Sequence, residues 1–302
     1  MTPPFHCGNV ALIGRPNVGK STLLNRILGQ KLSITSNKPQ TTRLPIRGIK
    51  TTATHQAIFV DTPGVHHLRG KRALNRLMNR AAVSALMDVD VIVLVVEAGK
   101  WTDEDDLVLS YIATNEGVPV VVAINKVDKL EDKSALLPLI AELKDKVKTE
   151  HIVPLSARTG KNVDQLESVI ASLLPEGPAV FGEDELTDHN MRFLSSEIIR
   201  EKLTRNLGQE LPYAVAVEIE KFSEANGVMD IHGLIWVERD SQKAIVIGKE
   251  GATLKKVGTE ARQDMERLFG GKVMLHLWVK VKEDWASNER FLQGLGFKED
   301  GK

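Results

Sequence analysis

Four short groups of residues have side chains and spacings that could do chemistry together. Gly14-Arg-Pro-Asn-Val-Gly-Lys-Ser21 fits the pattern Gly-x-x-x-x-Gly-Lys-Ser/Thr, after the apolar run Val10–Ile13 and at the start of a helical stretch, 20–28. In that setting the glycines let backbone N–H groups converge on phosphate oxygens, and the helix N-terminus adds partial positive charge. The expected nucleotide contacts are Gly14, Arg15, Pro16, Asn17, Val18, Gly19, Lys20, Ser21 and Thr22. Lys20 can reach the β- and γ-phosphates, and the Ser21 hydroxyl can ligate Mg²⁺.

Asp61-Thr-Pro-Gly64 closes a second apolar strand, Ala57–Val60. A carboxylate there can hold Mg²⁺ through water, and the Gly64 N–H can bond the γ-phosphate and sense its loss. Thr62 and Pro63 would line the same loop. A plain strand-ending turn accounts for such a segment alone; its pairing with the first motif selects the metal role.

Asn125-Lys-Val-Asp128 follows the run Val118–Ile124 and decides the base. Guanine presents two adjacent donors, N1–H and the 2-amino group, and the Asp128 carboxylate can accept both. Adenine has an acceptor at N1 and no 2-amino group, so it would leave Asp128 unpaired in a partly desolvated site. Asn125 can bond the opposite edge, the Lys126 stem can pack on the ring, and Ser156-Ala157 would bring the Ala157 N–H near guanine O6. Each match is short. All four occur in order, each at the C-terminal end of a strand, where α/β folds build their sites.

The elements that must carry these groups alternate strand and helix. Val91–Val96 reads as a strand buried on both faces, residues 71–87 show helical spacing, and Ile152–Leu155 is followed by a helix from Val163 to Leu174. This is the pattern of a doubly wound, mainly parallel α/β domain of the P-loop kind. Pro175-Glu-Gly-Pro178 breaks it, and the expected domains are 1–178 and 179–302.

Beyond the break the order changes to α+β. A helix capped by Thr187 or Asp188 runs to about Arg205, strands follow at 215–220 and 231–237, and a helical stretch, 242–269, is interrupted by Gly248-Lys-Glu-Gly251. A strand at 273–281 and a helix over about 284–295 complete it. The chain has 302 residues, 42% of them hydrophobic, which suffices for two cores. Its 40 basic and 40 acidic residues cancel, which argues only against a chain-wide polybasic mode of binding. The single Cys7 excludes an internal disulfide framework and suits a reducing compartment. No apolar run approaches the ~20 residues of a membrane span, and the first residues lack a signal-peptide pattern, so a cytoplasmic address is expected.

Taken together, Gly14–Ser21, Lys38-Pro-Gln-Thr-Thr-Arg43, Asp61-Thr-Pro-Gly-Val-His66, Asn125–Asp128 and the stretch Glu238–Lys249 resemble the Era family, bacterial ribosome-assembly GTPases among the translation-factor-related GTPases. The resemblance spans both domains. It implies GTP and GDP as ligands and hydrolysis to GDP and phosphate, with Lys20, Asn17, Thr42, Asp61 and Gly64 as catalytic residues and Ser21, Thr42 and Asp61 around Mg²⁺. It makes Lys38–Arg43 the first switch, with Thr41 or Thr42 supplying a hydroxyl to the metal and Thr42 preferred. Val65 stands where Ras-type enzymes carry a water-orienting Gln, so intrinsic turnover is expected to be slow. Asn17 stands where related K⁺-activated GTPases have an Asn that supports the cation; shaping the loop is the other reading of the same residue.

The interrupted helix pair resembles a type II KH domain, whose G-x-x-G loop clamps the backbone of about four nucleotides. Its expected RNA contacts are Lys243, Ile247, Gly248, Lys249, Glu250, Gly251, Lys255 and Lys256, with Ile245, Ile247 and Leu254 as the apolar groove and Arg262 nearby. Glu250 departs from the small or basic residue expected there, since a carboxylate beside phosphate costs affinity unless it points away. The resemblance further implies the 3′ end of 16S rRNA and the 30S subunit as partners, a monomer, and a place in the cytoplasm or at the inner membrane's cytoplasmic face. Two other readings fit parts of the chain. A GTPase that assists tRNA modification shares the Thr-Thr-Arg and Asn17 features. An RNA-binding protein with a vestigial nucleotide site is opposed by the intact Lys20, Ser21, Asp61 and Asp128.

Overall fold

The computed structural model describes residues 4–36, 38, 41–65, 72–208 and 211–297; Pro39 and Gln40 of the first switch and His66 lie outside them. The chain divides into two compact units. The first, in its described residues, takes in 4–33, 42–65 and 78–188. Its strands are β1 (His6–Ile13), β2 (Ile46–Thr51), β3 (His55–Asp61), β4 (Val91–Glu97), β5 (Val120–Asn125) and β6 (Ile152–Pro154). Among the described residues they form a six-stranded sheet in the order β2-β3-β1-β4-β5-β6, parallel except for the β2–β3 pair.

The sheet is covered on both faces, as the unbroken apolar runs Val10–Ile13 of β1 and Val91–Val96 of β4 require. On β1, Val10 and Leu12 pack toward α1 (Lys20–Leu28) and α5 (Val163–Leu173). Ala11 and Ile13 face the other way, in a core with Ala82 of α2 (Ala73–Ser84), Val108 of α3 (Asp103–Ile112) and Leu143 of α4 (Leu136–Val147). This is the doubly wound arrangement that the alternation of elements predicts.

The first unit runs to Asp188, ten residues beyond the break at Pro178. Hydrogen bonds tie that extra stretch down. Val180 N and Phe181 N both donate to Gln56 Oε1, Ile49 N donates to Leu186 O, and Arg47 pairs with Asp188 at 2.9 Å. The prolines end a helix there without ending the unit.

The second unit contains α6 (Met191–Asn206), β7 (Val215–Ala225), β8 (Val228–Val237), α7 (Asp240–Ile247), α8 (Ala252–Phe269), β9 (Lys272–Val281) and α9 (Glu289–Gly294), with the described residues of 34–41 and 72–77. The sheet order is β7-β8-β9. β7 and β8 are antiparallel through Asn226-Gly227, both at positive φ, as a tight hairpin requires; β8 and β9 are parallel. Odd-numbered residues of β8 and β9, such as Ile231, Ile235, Val273 and Val279, face the core with Val257 and Ala261 of α8. The even-numbered residues form the opposite, more exposed face. Asn190 caps α6, its side chain accepting from Phe193 N at 2.9 Å, in place of Thr187 or Asp188. Helix α6 buries Glu197, Arg200, Glu201 and Lys202. Arg200 bonds Glu197 and donates to Thr41 O, Glu201 accepts from Thr35 N, and Lys202 meets Asp264. None of the described helices is long and apolar enough to cross a membrane.

Candidate functional site

The loop between β1 and α1 is built at van der Waals limits. A Cβ at Gly14 would lie 2.4 Å from Val95 O, and one at Gly19, where φ is +104°, would lie 2.3 Å from Asn125 Nδ2. Gly64 approaches the same loop so closely that its Cβ would stand 2.8 Å from Pro16 Cα. At these positions the backbone packs against Val95, Asn125 and Pro16 as closely as only glycine allows. Lys20 is buried, with Nζ donating to Gly14 O at 2.9 Å and Arg15 O at 3.1 Å. Burial lowers its pKa to about 8, against the pull of Asp61. An ammonium held this way gains a full partner when an anion arrives.

Asp61 ends β3, fully buried. Burial pushes its carboxyl above the usual range, opposed by Lys20. Thr42 Oγ1 lies 3.4 Å from Asp61 Oδ2 and 2.9 Å from Ser21 Oγ. Asp61 Oδ1 has no hydrogen-bond partner among the described residues. Three oxygen-bearing side chains thus converge around a buried, incompletely satisfied carboxylate, and a hard cation with oxygen ligands such as Mg²⁺ fits that donor set. Thr41 does not join them: its hydroxyl lies 2.7 Å from Ser36 Oγ and donates to Lys38 O. Thr62 is used by the scaffold, its hydroxyl donating to Leu12 O at 2.8 Å, and Pro63 is buried beside it. Val18 belongs to the core, Thr22 is half-buried, and Asn17 sits exposed at φ +64°. Val65 is completely buried in the core with Ile13, Ile92 and Leu94, so its side chain faces away from solvent.

The residues expected to read the base are locked to one another. Asn125 Nδ2 donates to Val18 O at 2.8 Å, while its Oδ1 accepts from Lys126 N at 2.7 Å and Ala157 N at 2.9 Å. Both ends of that amide are engaged by protein, so it joins the phosphate loop to the loop after β6. Asp128 accepts from Ser156 Oγ at 2.6 Å and pairs with Arg158 Nη2 at 2.8 Å. The Ser156 hydroxyl, helped by Arg158, holds the Asp128 carboxyl below its ordinary range. A carboxylate has about four acceptor sites, so two remain for two donors on a base.

Three partners were not foreseen from sequence. Glu97 at the end of β4 pairs with both Arg15 and Lys126 at 3.0 Å, and Asp105 of α3 takes the Arg15 Nε at 3.0 Å. Arg158 is the third. A Glu ending a wholly apolar strand, and an Arg directly after Ser156-Ala157, were the available signals.

In the second unit, α7 stops at Gly248 and α8 starts after Gly251. Gly248 has φ +74° and ψ 175°, a region open essentially to glycine alone, and a Cβ there would lie 2.3 Å from Thr253 Oγ1. Glu250 and Gly251 are both left-handed, and Lys249 and Glu250 are exposed. Beside the loop lies a groove of about 400 Å³ lined by Gly251, Leu254, Lys255, Gly258, Thr259, Arg262, Leu275 and Leu277. Leu254, Lys255 and Arg262 were expected near it. Ile247 instead packs on the core, Ile245 is 56% exposed, and neither lines the groove. Leu275 and Leu277 supply the apolar wall in their place. Lys243 is half-buried, and Lys256 is exposed, 3.9 Å from Glu260. Trp285 is core, its indole N–H donating to Ala214 O, and Phe291 packs edge-on against Trp236.

Fold and site together define a P-loop nucleotide hydrolase of the guanine-binding kind joined to an RNA-binding module of the KH type. Residues 9–126 match the family model of 50S ribosome-binding GTPases, and residues 210–286 match that of the KH domain. GTPase Era of Pseudomonas syringae pv. tomato is 55% identical over 296 residues, covering 98% of each chain, and GTPase Era of Pseudomonas fluorescens is equally similar over the same share. Two solved structures superpose with a TM-score of 0.93 at 39% identity, covering 97% of this chain and 99% of theirs. One is a variant of Aquifex aeolicus Era bound to GDP·AlF4⁻; the other is Era with MgGDPNP and nucleotides 1506–1542 of 16S ribosomal RNA. The chain belongs to the Era family of GTPases.

Proposed function

We propose that this GTPase is a switch whose output is binding of the 3′ end of 16S rRNA during maturation of the 30S subunit, acting as a cytoplasmic monomer. One observation carries the reading. A complete guanine-type site and a G-x-x-G loop with a basic-edged apolar groove occur in one chain, over the full length of which a 39% identical Era binds MgGDPNP and that RNA segment.

In this reading Asp128, held ionised by Ser156 and Arg158, accepts the two donors of guanine, and the Lys126 stem packs on the ring. Asn125 sets the distance between the loops that grip base and phosphates. Lys20 and the N–H groups of residues 14–22 (Pro16 excepted) hold the phosphates, and the Gly64 N–H reads the γ-phosphate. Ser21, Thr42 and Asp61 would hold Mg²⁺, which supplies neutralisation of charge on the phosphate oxygens. Thr42, not Thr41, fills this role. Val65 offers no polar atom to the attacking water, so turnover is slow without help. Asn17 would support a K⁺ ion that does part of that work. Replacing Na⁺ by K⁺ is then expected to raise the rate of phosphate release; equal rates remove the cation from the account.

RNA is held with its sugar-phosphate at Gly248–Gly251 and its bases against Leu254, Leu275 and Leu277, while Lys243, Lys249, Lys255, Lys256 and Arg262 supply charge. Binding of an oligonucleotide containing the anti-Shine–Dalgarno sequence, measured with a GTP analogue and with GDP, tests the whole reading. Different affinities in the two states are expected. No binding in either state would overturn the rRNA assignment and leave the GTPase standing.

A further inference from the structure

The open face of the second unit's sheet brings two imidazoles and a carboxylate to one point. His232 on β8 is the direct register partner of His276 on β9, and Asp230 precedes His232 by two residues, so all three stand on the same face. Asp230 Oδ1 lies 3.2 Å from His232 Nε2 and 3.6 Å from His276 Nε2, and the donor atoms of the three residues all fall within 4.8 Å of one another. Metal–ligand bonds of 2.0–2.1 Å in a tetrahedron give donor–donor edges of about 3.3 Å. The two Asp230 separations bracket that value, and the edge between the two imidazole nitrogens, within 4.8 Å, would close to it when an ion binds.

We propose that Asp230, His232 and His276 form a site for one late first-row divalent ion, Zn²⁺ being the one its geometry suits. Two neutral imidazoles and one carboxylate oxygen are the mixed N/O set that such ions take, and that Mg²⁺ and Ca²⁺ do not. The second oxygen of Asp230 is already fixed, Lys221 Nζ donating to Oδ2 at 2.7 Å. The carboxylate therefore presents Oδ1 alone, oriented by an outer-shell partner as metal-binding carboxylates commonly are. Three protein ligands leave one position for water or another small ligand. Trp278, 42% exposed, has its ring centroid 5.2 Å from that of His232.

The site owes nothing to the nucleotide chemistry. The rings of His232 and His276 meet edge-on with centroids 4.9 Å apart. A simple hydrogen bond from His232 to Asp230 explains one of the two short separations. It gives no reason for His276 to aim at the same oxygen from the neighbouring strand.

The test uses the full-length chain without a histidine tag, saturated with GDP and excess Mg²⁺ so that the nucleotide site is filled. Titration with Co²⁺ is expected to give one equivalent with the intense visible ligand-field bands of a tetrahedral N/O site, displaced by one equivalent of Zn²⁺. His276→Ala and His232→Ala are each expected to weaken binding by about tenfold or more. Asp230→Asn should shift the ligand-field bands. The milder His276→Gln, with unchanged thermal unfolding in chelator, separates ligand loss from misfolding. Absence of a tetrahedral Co²⁺ spectrum in the unmodified chain overturns the proposal. So does a spectrum that survives in the His232→Ala, His276→Ala double variant.

Discussion

The two glycine loops of this molecule, Gly14–Ser21 and Gly248–Gly251, are held in opposite ways. Around the first, nearly every polar side chain is committed to another: Arg15 to Glu97 and Asp105, Asn125 to Val18 and Ala157, Asp128 to Ser156 and Arg158. Around the second, Lys249 and Lys255 stand in solvent beside an open groove. The difference follows from the tasks. Hydrolysis needs donors fixed before the charge develops, because reorganisation during the reaction adds to the barrier. Holding a strand of RNA needs long-range attraction and a surface that tolerates several backbone paths.

The sharpest way to break the first site is at its base-reading carboxylate. Asp128→Asn offers guanine one acceptor and a misplaced donor, so GDP affinity should fall by about 10⁴-fold. Xanthosine diphosphate, with a carbonyl where guanine has its amino group, should regain much of the loss. Equilibrium binding of both nucleotides checks this, and an unchanged preference for guanine would move specificity elsewhere.

In the second site the equivalent break is Gly248→Ala. The Cβ would overlap Thr253, and the backbone would be held where an L-residue is strained. A stability loss of about 1–3 kcal/mol is expected, with RNA affinity lost before GTPase activity. Gly251 has φ +78° but no described atom within 4 Å of a Cβ, so Gly251→Asn should be tolerated far better. Equal sensitivity at the two glycines would mean that the loop is looser than it looks.

Protons report the tightness of the first site. The Lys20 pKa of about 8 in the empty protein lies below the 10.5 of an unperturbed lysine, so between these values the unfolded chain binds more protons than the folded one. Stability of the nucleotide-free protein should therefore rise with pH across that window. Nucleotide phosphates restore the charge, so binding at pH 8 should take up about half a proton, and affinity should fall as pH rises further. Calorimetry in two buffers of different ionisation enthalpy measures the uptake. None at all would place Lys20 fully protonated before the ligand arrives.

Charge removal in the groove should be smaller and graded. Lys255→Ala with Lys256→Ala should weaken every RNA about alike. The slope of log affinity against log salt should become shallower by about 0.7 for each phosphate that a removed ammonium had neutralised. The smallest effect is expected at Arg158→Ala. That guanidinium is largely exposed, so Asp128 should lose only about 0.2–1 kcal/mol of support, seen as a few-fold weaker GDP binding.

Most of the nucleotide site was legible because its motifs lie within a few residues of one strand end. Its supports were not, because Glu97, Asp105 and Arg158 reach their partners across the fold. Helix α3 hid behind four consecutive acidic residues, Asp103–Asp106, which form its first turn. Helix α4 carries Pro138 close to its start, and β2 is a short edge strand with Gly48 inside it. The groove beside Gly251 has a wall that was not expected. Leu275 and Leu277 alternate like any half-buried strand, and their own pattern does not mark them as facing an opening rather than a filled core. Gly258 was the overlooked sign, since glycine inside a helix costs about 1 kcal/mol against alanine.

Val65 has a consequence for how such a protein can change over generations. Its side chain fills a closed part of the interior, so exchanging it for Gln would bury an amide and crowd Ile13, Ile92 and Leu94 before it helped any water. A single codon change toward rapid autonomous hydrolysis is thereby penalised in foldedness. Lineages that need a quicker timer must recruit an outside agent, and the pace of the switch stays open to control by whatever it meets.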